Sequence, residues 1–545
     1  MLTKLVDPDQ LEDTVLSESH YHNRGHGLST DEEFVSINKY QIPQKGLSEA
    51  TTYSILHDNL SLDGNPTLNL ASFVNTFSTQ QVRELIAENI SKNLADADEY
   101  PTLVDLAQRD VSILGKLWNA DSDEKPTGTA TTGSSEAIML GGLALKKRWQ
   151  AKRKAEGKDA YRPNIIMGSN AQVALEKFAR YFDVEARLIP VSPASDHVLD
   201  VSKIEEQVDE NTIGIFVILG STYTGTFENV LKVSDLLDDI QKRKGFDVPI
   251  HVDGASGAFV APFVFPDLKW DFRVKRVHSI NTSGHKFGLT TAGLGWIIWR
   301  DASYLPQELI FKLRYLGSVE ESYNLNFSRP GFQVIHQYYN FIHLGFKGYK
   351  SIHSKSLANA RILSNSLEKS QYFEVVSNIH RKKGVLTYDK PQIDDNIKIQ
   401  GKDANEFNEG LPVVAFRLSR EFRKQYPNIP QAFISTLLRK QGWIIPNYPL
   451  PTSESHTEIL RVVVRIELTA DLLNRLIKDI IQAVEVLIKA ESLYGAASHA
   501  TAGSAEQRNF LYQLLSSIAS NGDDYNEDAK KEHLKHHHST FKGTC

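Results

Sequence analysis

The amino-acid sequence predicts an α/β fold in which a large mixed sheet carries helices on both faces and is followed by a smaller C-terminal α+β domain. Between residues 59 and 345, short apolar runs alternate with helical patterns, as strands and helices do in α/β domains. Polar residues suited to ligand binding follow directly after two of these runs. Near residue 355 the pattern changes to a helix, several strands and a final helix.

Length and composition exclude several classes of protein. The chain has 545 residues, 41% of them hydrophobic, and a net charge of −6, so it can form more than one domain and gives no support for nucleic-acid binding. It has no long apolar window and no signal-peptide core, so neither a membrane span nor secretion is expected. The single cysteine, Cys545, cannot form an internal disulfide, and we expect a cytoplasmic location and no metal site.

We expect four segments along the chain. Residues 1–58 form a polar, partly helical arm, residues 59–345 the large domain and residues 346–495 the small domain. Residues 496–545 hold a helix with Phe510, Leu514 and Ile518 on one face, then a polar tail with the run His536–His538. That helix could dock on its own protein or on a partner.

In the large domain, Thr131–Ala137 opens a helix that continues to Trp149 and carries its positive charges late, as the helix dipole favours. Buried strands are predicted at the apolar runs Ile165–Met167, Ile213–Leu219, Ile250–Val252 and Leu294–Trp299.

In the small domain, hydrophobic periodicity predicts helices at Leu357–Leu367 and Asp471–Leu487. The polar stretch Lys390–Gly410 is predicted to be a surface loop. Strands are predicted at Val413–Leu418, Trp443–Pro446 and Leu460–Ile466.

Lys286 and Asp253 together indicate pyridoxal phosphate chemistry. Lys286 lies in the glycine-containing run Asn281–Gly288, where a buried amine could form a Schiff base with an aldehyde. Asp253 follows a predicted strand, and its carboxylate could keep a pyridine nitrogen protonated, which makes the ring an electron sink. Each residue alone is a weak signal, because an isolated lysine is usually a solvated surface residue.

A third element could bind the phosphate of the same ligand. Ser134 and Ser135 stand at the start of the predicted helix, where free N–H groups and hydroxyls suit an anion. Taken alone, the same residues would indicate an ordinary helix cap.

Ordered blocks between residues 45 and 490 resemble the group II pyridoxal phosphate-dependent decarboxylases, in particular the branch that acts on glutamate. The blocks include Leu62–Asn65, Glu99–Pro101, Gly133–Ala137, Lys177–Tyr181, Thr222–Gly225, Ala261–Phe263, Lys269–Arg273, Ser283–Gly288 and Asn326–Pro330. The resemblance implies the pyridoxal phosphate-dependent transferase-like fold, also called aspartate aminotransferase fold type I, and pyridoxal 5'-phosphate as cofactor.

The resemblance also implies residue roles. Ser134, Ser135, Ser283 and His285 match phosphate contacts, and Ser328 matches one from a neighbouring subunit. Gln172 and Ala255 match residues on the two ring faces, and Thr222 matches one near the 3′-oxygen and the reacting carboxylate. Catalytic roles are implied for Lys286, Asp253, His285 and Tyr315, with Tyr315 as proton donor and His285 or Lys286 as alternatives. Substrate contacts are implied for Ser72, Phe73, Asn93, Asp96 and Arg465.

The activity implied by the resemblance is conversion of L-glutamate to 4-aminobutanoate and carbon dioxide, in a homodimer or higher homo-oligomer with active sites at the subunit interface. Ser72 replaces a threonine of bacterial relatives, which leaves aspartate or cysteine sulfinate open as substrates. Another pyridoxal phosphate reaction and a non-catalytic scaffold are the remaining alternatives. Calmodulin is not an expected partner, because the C-terminal helix lacks the dense basic and Trp character of plant relatives.

Overall fold

The computed structural model describes residues 40–121, 123–313, 320–388 and 404–497. The chain divides into two compact units, Met1–Gly64 and Asn65–Cys545. In the first unit, helix α1 spans Glu49–Leu60, and the hydroxyl of Ser48 caps it by accepting a hydrogen bond from the Thr51 N–H at 3.2 Å. Most of this helix falls within the expected N-terminal arm, whose residues 1–39 lie outside the described ranges.

A seven-stranded mixed sheet lies at the centre of the second unit, which confirms the predicted fold class. Its strands are β1 (Thr127–Thr131), β2 (Asn164–Gly168), β3 (Glu185–Ile189), β4 (Thr212–Ile218), β5 (Ile250–Asp253), β6 (Val277–Thr282) and β7 (Gly295–Trp299). The strand order is β1-β7-β6-β5-β4-β2-β3. Neighbouring strands from β3 to β6 run parallel, whereas β7 is antiparallel to both β6 and β1.

Helices cover both faces of this sheet. They are α2 (Gln80–Glu88), α3 (Pro101–Leu117), α4 (Ser134–Ala155), α5 (Val173–Tyr181), α6 (Val230–Lys244) and α7 (Ala261–Val264). Successive side chains of a strand point to opposite faces. In β2, Ile165 and Met167 pack in one cluster with Phe178 of α5, whereas Ile166 between them belongs to the cluster that contains Leu237 of α6.

A four-stranded antiparallel sheet forms the smaller layer towards the C-terminus. Its strands are β10 (Phe373–Val375), β11 (Val413–Leu418), β12 (Asn447–Pro449) and β13 (Glu458–Val463), and a separate hairpin pairs β8 (Phe311–Leu313) with β9 (Glu320–Ser322). The helices are α8 (Phe332–Lys369), α9 (Arg420–Gln425), α10 (Ala432–Lys440) and α11 (Ala470–Ala497). Helix α8 is interrupted at Gly345, whose φ of 59° is accessible to glycine. The sheet order is β10-β11-β13-β12.

One predicted strand is wrong. Trp443–Pro446 was expected in the small sheet, but the strand at that edge is Asn447–Pro449. The Ile444 N–H instead donates to the carbonyl of Leu68 at 3.0 Å, and the Ile444 carbonyl accepts from Leu70 at 3.0 Å. The apolar run is buried because it pairs with this earlier segment, and burial alone does not reveal the partner.

Other predictions for the small domain agree more closely. The strand Val413–Leu418 is confirmed, and the strand predicted at Leu460–Ile466 is observed at Glu458–Val463. Residues 390–403 of the predicted loop lie outside the described ranges, and so do residues 498–545, with the predicted C-terminal helix face and the His536–His538 run. In the part of the chain that is described, no helix has the length and apolar character needed to cross a membrane.

Candidate active site

A cavity of about 290 Å³ opens at the carboxyl ends of β1, β2, β4, β5 and β6. Ligands in open α/β sheets bind at such ends, where loops carry polar side chains. All the residues expected to bind the cofactor line this cavity, except Ser328. The lining residues are Thr132, Gly133, Ser134, Ser135, Glu136, Ile138, Asn170, Gln172, Ala174, Ile218, Gly220, Thr222, Asp253, Ala255, Ser256, Ser283, His285 and Lys286.

One end of the cavity is suited to an anion. Helix α4 begins there, and the N–H groups of a first helical turn have no carbonyl partner within the helix. The hydroxyls of Ser134 and Ser283 lie 2.7 Å apart. Gly133, before the helix, has a φ of 155°, which favours glycine. We call Thr132–Ser135 together with Ser283 the anion cradle.

His285 is held in a defined tautomer beside the cradle. Its Nδ1 accepts a hydrogen bond from the Leu294 N–H at 3.2 Å, so in the neutral ring the proton is on Nε2. Burial, and then the neighbouring Lys286, lower the pKa of His285 to about 4. The ring is therefore neutral near pH 7, with Nε2 available as a donor.

Asp253 is fixed at the end of β5 by a chain of buried side chains. Its Oδ1 accepts hydrogen bonds from Asn281 Nδ2 at 2.9 Å and from the Ala255 N–H at 3.1 Å. Asn281 Oδ1 lies 2.7 Å from His251 Nε2, and Ser279 Oγ lies 2.7 Å from His251 Nδ1. Burial lowers the pKa of His251 to about 4. One carboxylate oxygen is thus occupied, and Oδ2 is left for a further donor in the cavity.

Lys286 lies in the same cavity as Asp253. Its Nζ donates to Ser256 Oγ at 3.3 Å and lies 5.3 Å from the centre of the Phe73 ring. Burial lowers the pKa of Lys286, Asp253 acts in the opposite direction, and Arg461 lowers it further. These surroundings favour the neutral amine, which is the nucleophilic form.

Arg461 is a candidate functional residue that the sequence analysis missed. Its guanidinium lies 4.9 Å from the centre of the Phe73 ring and 5.5 Å from that of Tyr448. It donates to the backbone carbonyl of Thr222 at 2.8 Å and also to that of Ala71. Arg461 therefore connects the backbone at Ala71 to the backbone at Thr222 and places a cation near Lys286.

Arg465, the arginine that was expected near the substrate, makes different contacts. Its guanidinium donates to the backbone carbonyls of Pro66 at 2.9 Å, Asn69 at 3.1 Å and Val74. Neither Arg465 nor Arg461 is among the residues that line the cavity, but Arg461 is the one that acts on the pKa of Lys286. Arg465 holds the segment that carries Ser72 and Phe73, so Arg461 is the stronger candidate for substrate contact.

Asn93, Asp96 and Ser328 form a second group, which is not part of the cavity lining. Asn93 Nδ2 donates to Asp96 Oδ1 at 3.0 Å and lies 3.4 Å from Ser328 Oγ. The structure thus brings together residues that were expected to bind the distal carboxylate and a phosphate, but keeps them apart from the other expected ligands within one chain.

The remaining expected residues have clear positions, with one exception. Gln172 lines the cavity and caps α5 by accepting the Ala174 N–H at 2.7 Å. The hydroxyl oxygen of Ser72 accepts the Val74 N–H at 3.1 Å, which leaves its proton free to donate. Tyr315 lies outside the described residues, so its predicted role as proton donor is not tested.

Comparison with known proteins is consistent with this site. Residues 45–387 match the family described as pyridoxal-dependent decarboxylase conserved domain. The chain is 51% identical over 536 residues to "Glutamate decarboxylase" of Saccharomyces cerevisiae, with 93% of this chain and 90% of that protein covered. It is 44% identical over 455 residues to "Glutamate decarboxylase 2" of Arabidopsis thaliana, with 83% and 85% covered. The solved structure of Lactobacillus brevis glutamate decarboxylase is similar at a TM-score of 0.74 and 37% identity, covering 83% of this chain and 95% of that one.

Proposed function

The chain belongs to the pyridoxal-dependent decarboxylase family, and from this premise we propose that it converts L-glutamate to 4-aminobutanoate and carbon dioxide. The convergence of Lys286, Asp253 and the anion cradle on one cavity carries the proposal. An amine, a carboxylate and a set of hydroxyl and N–H donors match the aldehyde, the ring nitrogen and the phosphate of pyridoxal 5'-phosphate. The donor set therefore fits this cofactor.

In this proposal, Ser134, Ser135, Ser283 and His285 Nε2 hold the phosphate. Gln172 and Ala255 would contact the two faces of the ring, and Thr222 would lie near the 3′-oxygen. Asp253 Oδ2 holds a proton on the ring nitrogen, because Oδ1 is already occupied by Asn281 and Ala255. The bound cofactor supplies an electron sink for the charge that is left on Cα when carbon dioxide departs.

The neutral amine of Lys286 would hold the cofactor through its aldehyde. Lys286 and His285 both line the cavity and are the alternatives to Tyr315 as proton donor. Placing the proton at Cα gives 4-aminobutanoate. Exclusion of water by the buried walls strengthens each electrostatic contact in the site.

Arg461 and the Ser72–Phe73 segment orient the substrate in this proposal. The Arg461 guanidinium has the charge and the planar shape that suit a carboxylate. The Ser72 hydroxyl, together with Asn93 and Asp96, is proposed to bind the distal carboxylate. Orientation by two carboxylate contacts could lower the barrier by several kcal/mol.

Asn93, Asp96 and Ser328 lie outside the cavity lining of their own chain, which supports the proposal that a homodimer shares its active sites across the interface. The cytoplasmic location and the division into large and small domains at residues 345 and 346 also remain predictions.

The test is carbon dioxide release from glutamate, aspartate and cysteine sulfinate by the purified protein with added pyridoxal phosphate. Glutamate is expected to react in the wild type, and Lys286→Ala is expected to be inactive and to lack the visible absorption of a Schiff base. Lys232→Ala, at an exposed position on α6, is the matched control and should retain full activity. Reaction of aspartate or the sulfinate alone would show that the Ser72 pocket selects another acid, and activity that survives in Lys286→Ala would contradict the proposal.

A further inference from the structure

Glu136 is a buried carboxylate in an unexpected place. It lines the cavity at the third position of α4, next to the anion cradle, and is only 5% exposed. A buried negative charge beside an anion site is unfavourable, because like charges repel strongly where water is excluded. The proposed function gives Glu136 no task.

The carboxylate is stabilised by donors from two separate segments. Oε2 accepts the backbone N–H of Thr132 at 2.8 Å and its hydroxyl at 3.0 Å. Oε1 accepts the backbone N–H groups of Leu325 at 3.0 Å and Asn326 at 3.1 Å. Asn326 Nδ2 also donates to the Thr132 hydroxyl at 3.0 Å. Both oxygens of Glu136 are therefore occupied: Oε1 by the Leu325 and Asn326 backbone, and Oε2 by Thr132 and, at 3.4 Å, by Asn326 Nδ2.

We call Asn324–Pro330 the rim segment. Leu325, Asn326 and Ser328 are exposed, so little apolar burial holds this part of the chain in place. Besides Glu136, Asn324 Nδ2 donates to the carbonyl of Ala130 at 2.9 Å, and Arg329 Nη1 donates to the same carbonyl at 2.6 Å. The rim segment is thus attached to the end of β1 and the start of α4 through polar contacts.

The rim segment in turn holds the group that was expected to bind the distal carboxylate. The Arg329 N–H donates to Asn93 Oδ1 at 2.9 Å, and Asn93 Nδ2 donates to Asp96 Oδ1 at 3.0 Å. The Leu94 N–H donates to the Arg329 carbonyl at 2.8 Å. A continuous set of hydrogen bonds therefore runs from the cradle through Glu136 and the rim segment to Asn93 and Asp96.

We propose that Glu136 is a positioning residue that couples occupation of the anion cradle to the order of the rim segment and of the Asn93–Asp96 pair. An anion in the cradle fixes the first turn of α4, which includes the backbone of Glu136. Its charge also repels the carboxylate away from the cradle and towards the Leu325 and Asn326 N–H groups. Cofactor binding in one protomer thereby prepares the Asn93–Asp96 pair, which is proposed to bind the substrate carboxylate in the active site shared with the neighbouring subunit. This inference rests on the proposed function of the cavity.

Hydrogen exchange measured by mass spectrometry tests the coupling on the full-length protein. In the wild type, the holoenzyme should exchange the backbone amides of residues 324–330 and 90–97 at least about tenfold more slowly than protein stripped of cofactor, because the bridge to the cradle resists opening. In Glu136→Gln the cofactor should still protect the start of α4, but protection of 324–330 and 90–97 should be lost. A glutamine cannot accept at both positions, because its –NH2 group replaces one of the two oxygens and would face N–H donors.

Steady-state kinetics supplies a second readout that a loss of stability alone would not produce. Glu136→Gln should raise the KM for glutamate by about tenfold or more and change kcat less. The reason is that the affected contact binds the substrate carboxylate equally in the ground state and in the transition state. Thr132→Val keeps the shape and the backbone donor and removes only the hydroxyl, so it should give a smaller change in the same direction. Glu156→Gln, at the exposed C-terminal end of α4, is the matched control and should leave exchange and KM unchanged.

The outcomes separate the inference from the proposed function. If the wild type binds pyridoxal phosphate and releases carbon dioxide, but Glu136→Gln and Thr132→Val retain cofactor-dependent protection of the rim segment, the coupling is refuted and the proposed function stands. If Glu136→Gln does not fold, the comparison between Thr132→Val and the wild type decides. Failure of the wild type to bind the cofactor would refute the proposed function instead.

Discussion

Two arginines four residues apart have distinct environments at the site. Arg461 lies against the Phe73 ring and near Lys286, whereas Arg465 donates to three backbone carbonyls of the segment that carries Phe73. A cation that contacts the reacting groups affects chemistry directly. A cation that only holds a backbone segment in place affects activity indirectly, through the position and the stability of that segment.

The variants Arg461→Gln and Arg465→Gln should therefore differ. Arg461→Gln should lower kcat/KM by about 100-fold, equivalent to ~3 kcal/mol, because a buried charged contact to the substrate is lost. It should also raise the pKa of Lys286, because Arg461 lowers it. Arg465→Gln should lower the free energy of unfolding by ~2 kcal/mol and affect kcat/KM less. Kinetics and thermal unfolding of both variants measure this, and equal losses of activity would contradict the assignment.

Most of the cofactor-binding residues expected from the sequence line one cavity, because short motifs keep their spacing. Ser134, Asp253, Ser283 and Lys286 each lie at or shortly after a strand end, and the sheet brings those ends together. Arg461 was missed because both arginines stand in the same apolar run, and only the fold shows which one lies beside Phe73.

Strand β7 packs directly against the backbone of the anion cradle at Gly295. A Cβ atom at Gly295 would lie 2.4 Å from the Gly133 carbonyl carbon and 2.7 Å from both the Ser134 nitrogen and Thr131 Oγ1. These are mainly backbone contacts, which cannot be relieved by a side-chain rotation. The absence of a side chain at Gly295 therefore allows the turn that leads into α4 to lie close to β7.

Gly295→Ala should displace this turn and weaken cofactor binding at least about tenfold, because a shift of the cradle misaligns its N–H groups. Titration of the stripped protein with pyridoxal phosphate, followed by absorbance, measures the change. Gly46→Ala, where no atom lies within 4 Å of the added Cβ, is the control. Unchanged affinity in Gly295→Ala would show that the cradle tolerates the shift.

Element type was predictable where a short continuous apolar run marked a buried strand, as in β2, β4, β5, β7 and β11. Trp443–Pro446 was misplaced because its pairing partner, Leu68–Leu70, lies far away in the sequence. Local periodicity reports burial, but it does not report which segment completes the hydrogen bonds.

Across the whole molecule, several histidines are buried in their neutral form. Burial lowers the pKa of His251, His285 and His336 to about 4 and that of His278 and His353 to about 3. In the unfolded chain such groups take up a proton near pH 6.5. Their contribution to stability is therefore complete above pH 6.5 and is lost progressively as the pH falls towards 4 or 3.

His353→Phe should make the protein less sensitive to acid. The ring of His353 packs against Phe263, Phe287 and Tyr349, and its one polar contact that acts on the pKa among the described residues is with the backbone of Phe287. A phenylalanine could occupy this space and has no proton to take up. Between pH 6.5 and pH 5 the variant should lose about 2 kcal/mol less unfolding free energy than the wild type, measured with urea at each pH. Parallel pH profiles would contradict the expectation.

The strand order also constrains how the protein is assembled during synthesis. In the described sheet, β1 pairs with β7, although β1 is made first and β7 is made last. A nascent chain that emerges from its N-terminus therefore cannot complete the edge that supports the cradle until residue Trp299 is available. By then Asp253 and Lys286 have already emerged. The amine and the carboxylate are thus synthesised before the strand that supports the phosphate subsite. A truncated chain that ends before β7 should therefore not bind the cofactor, and cofactor binding should be a late step of biosynthesis.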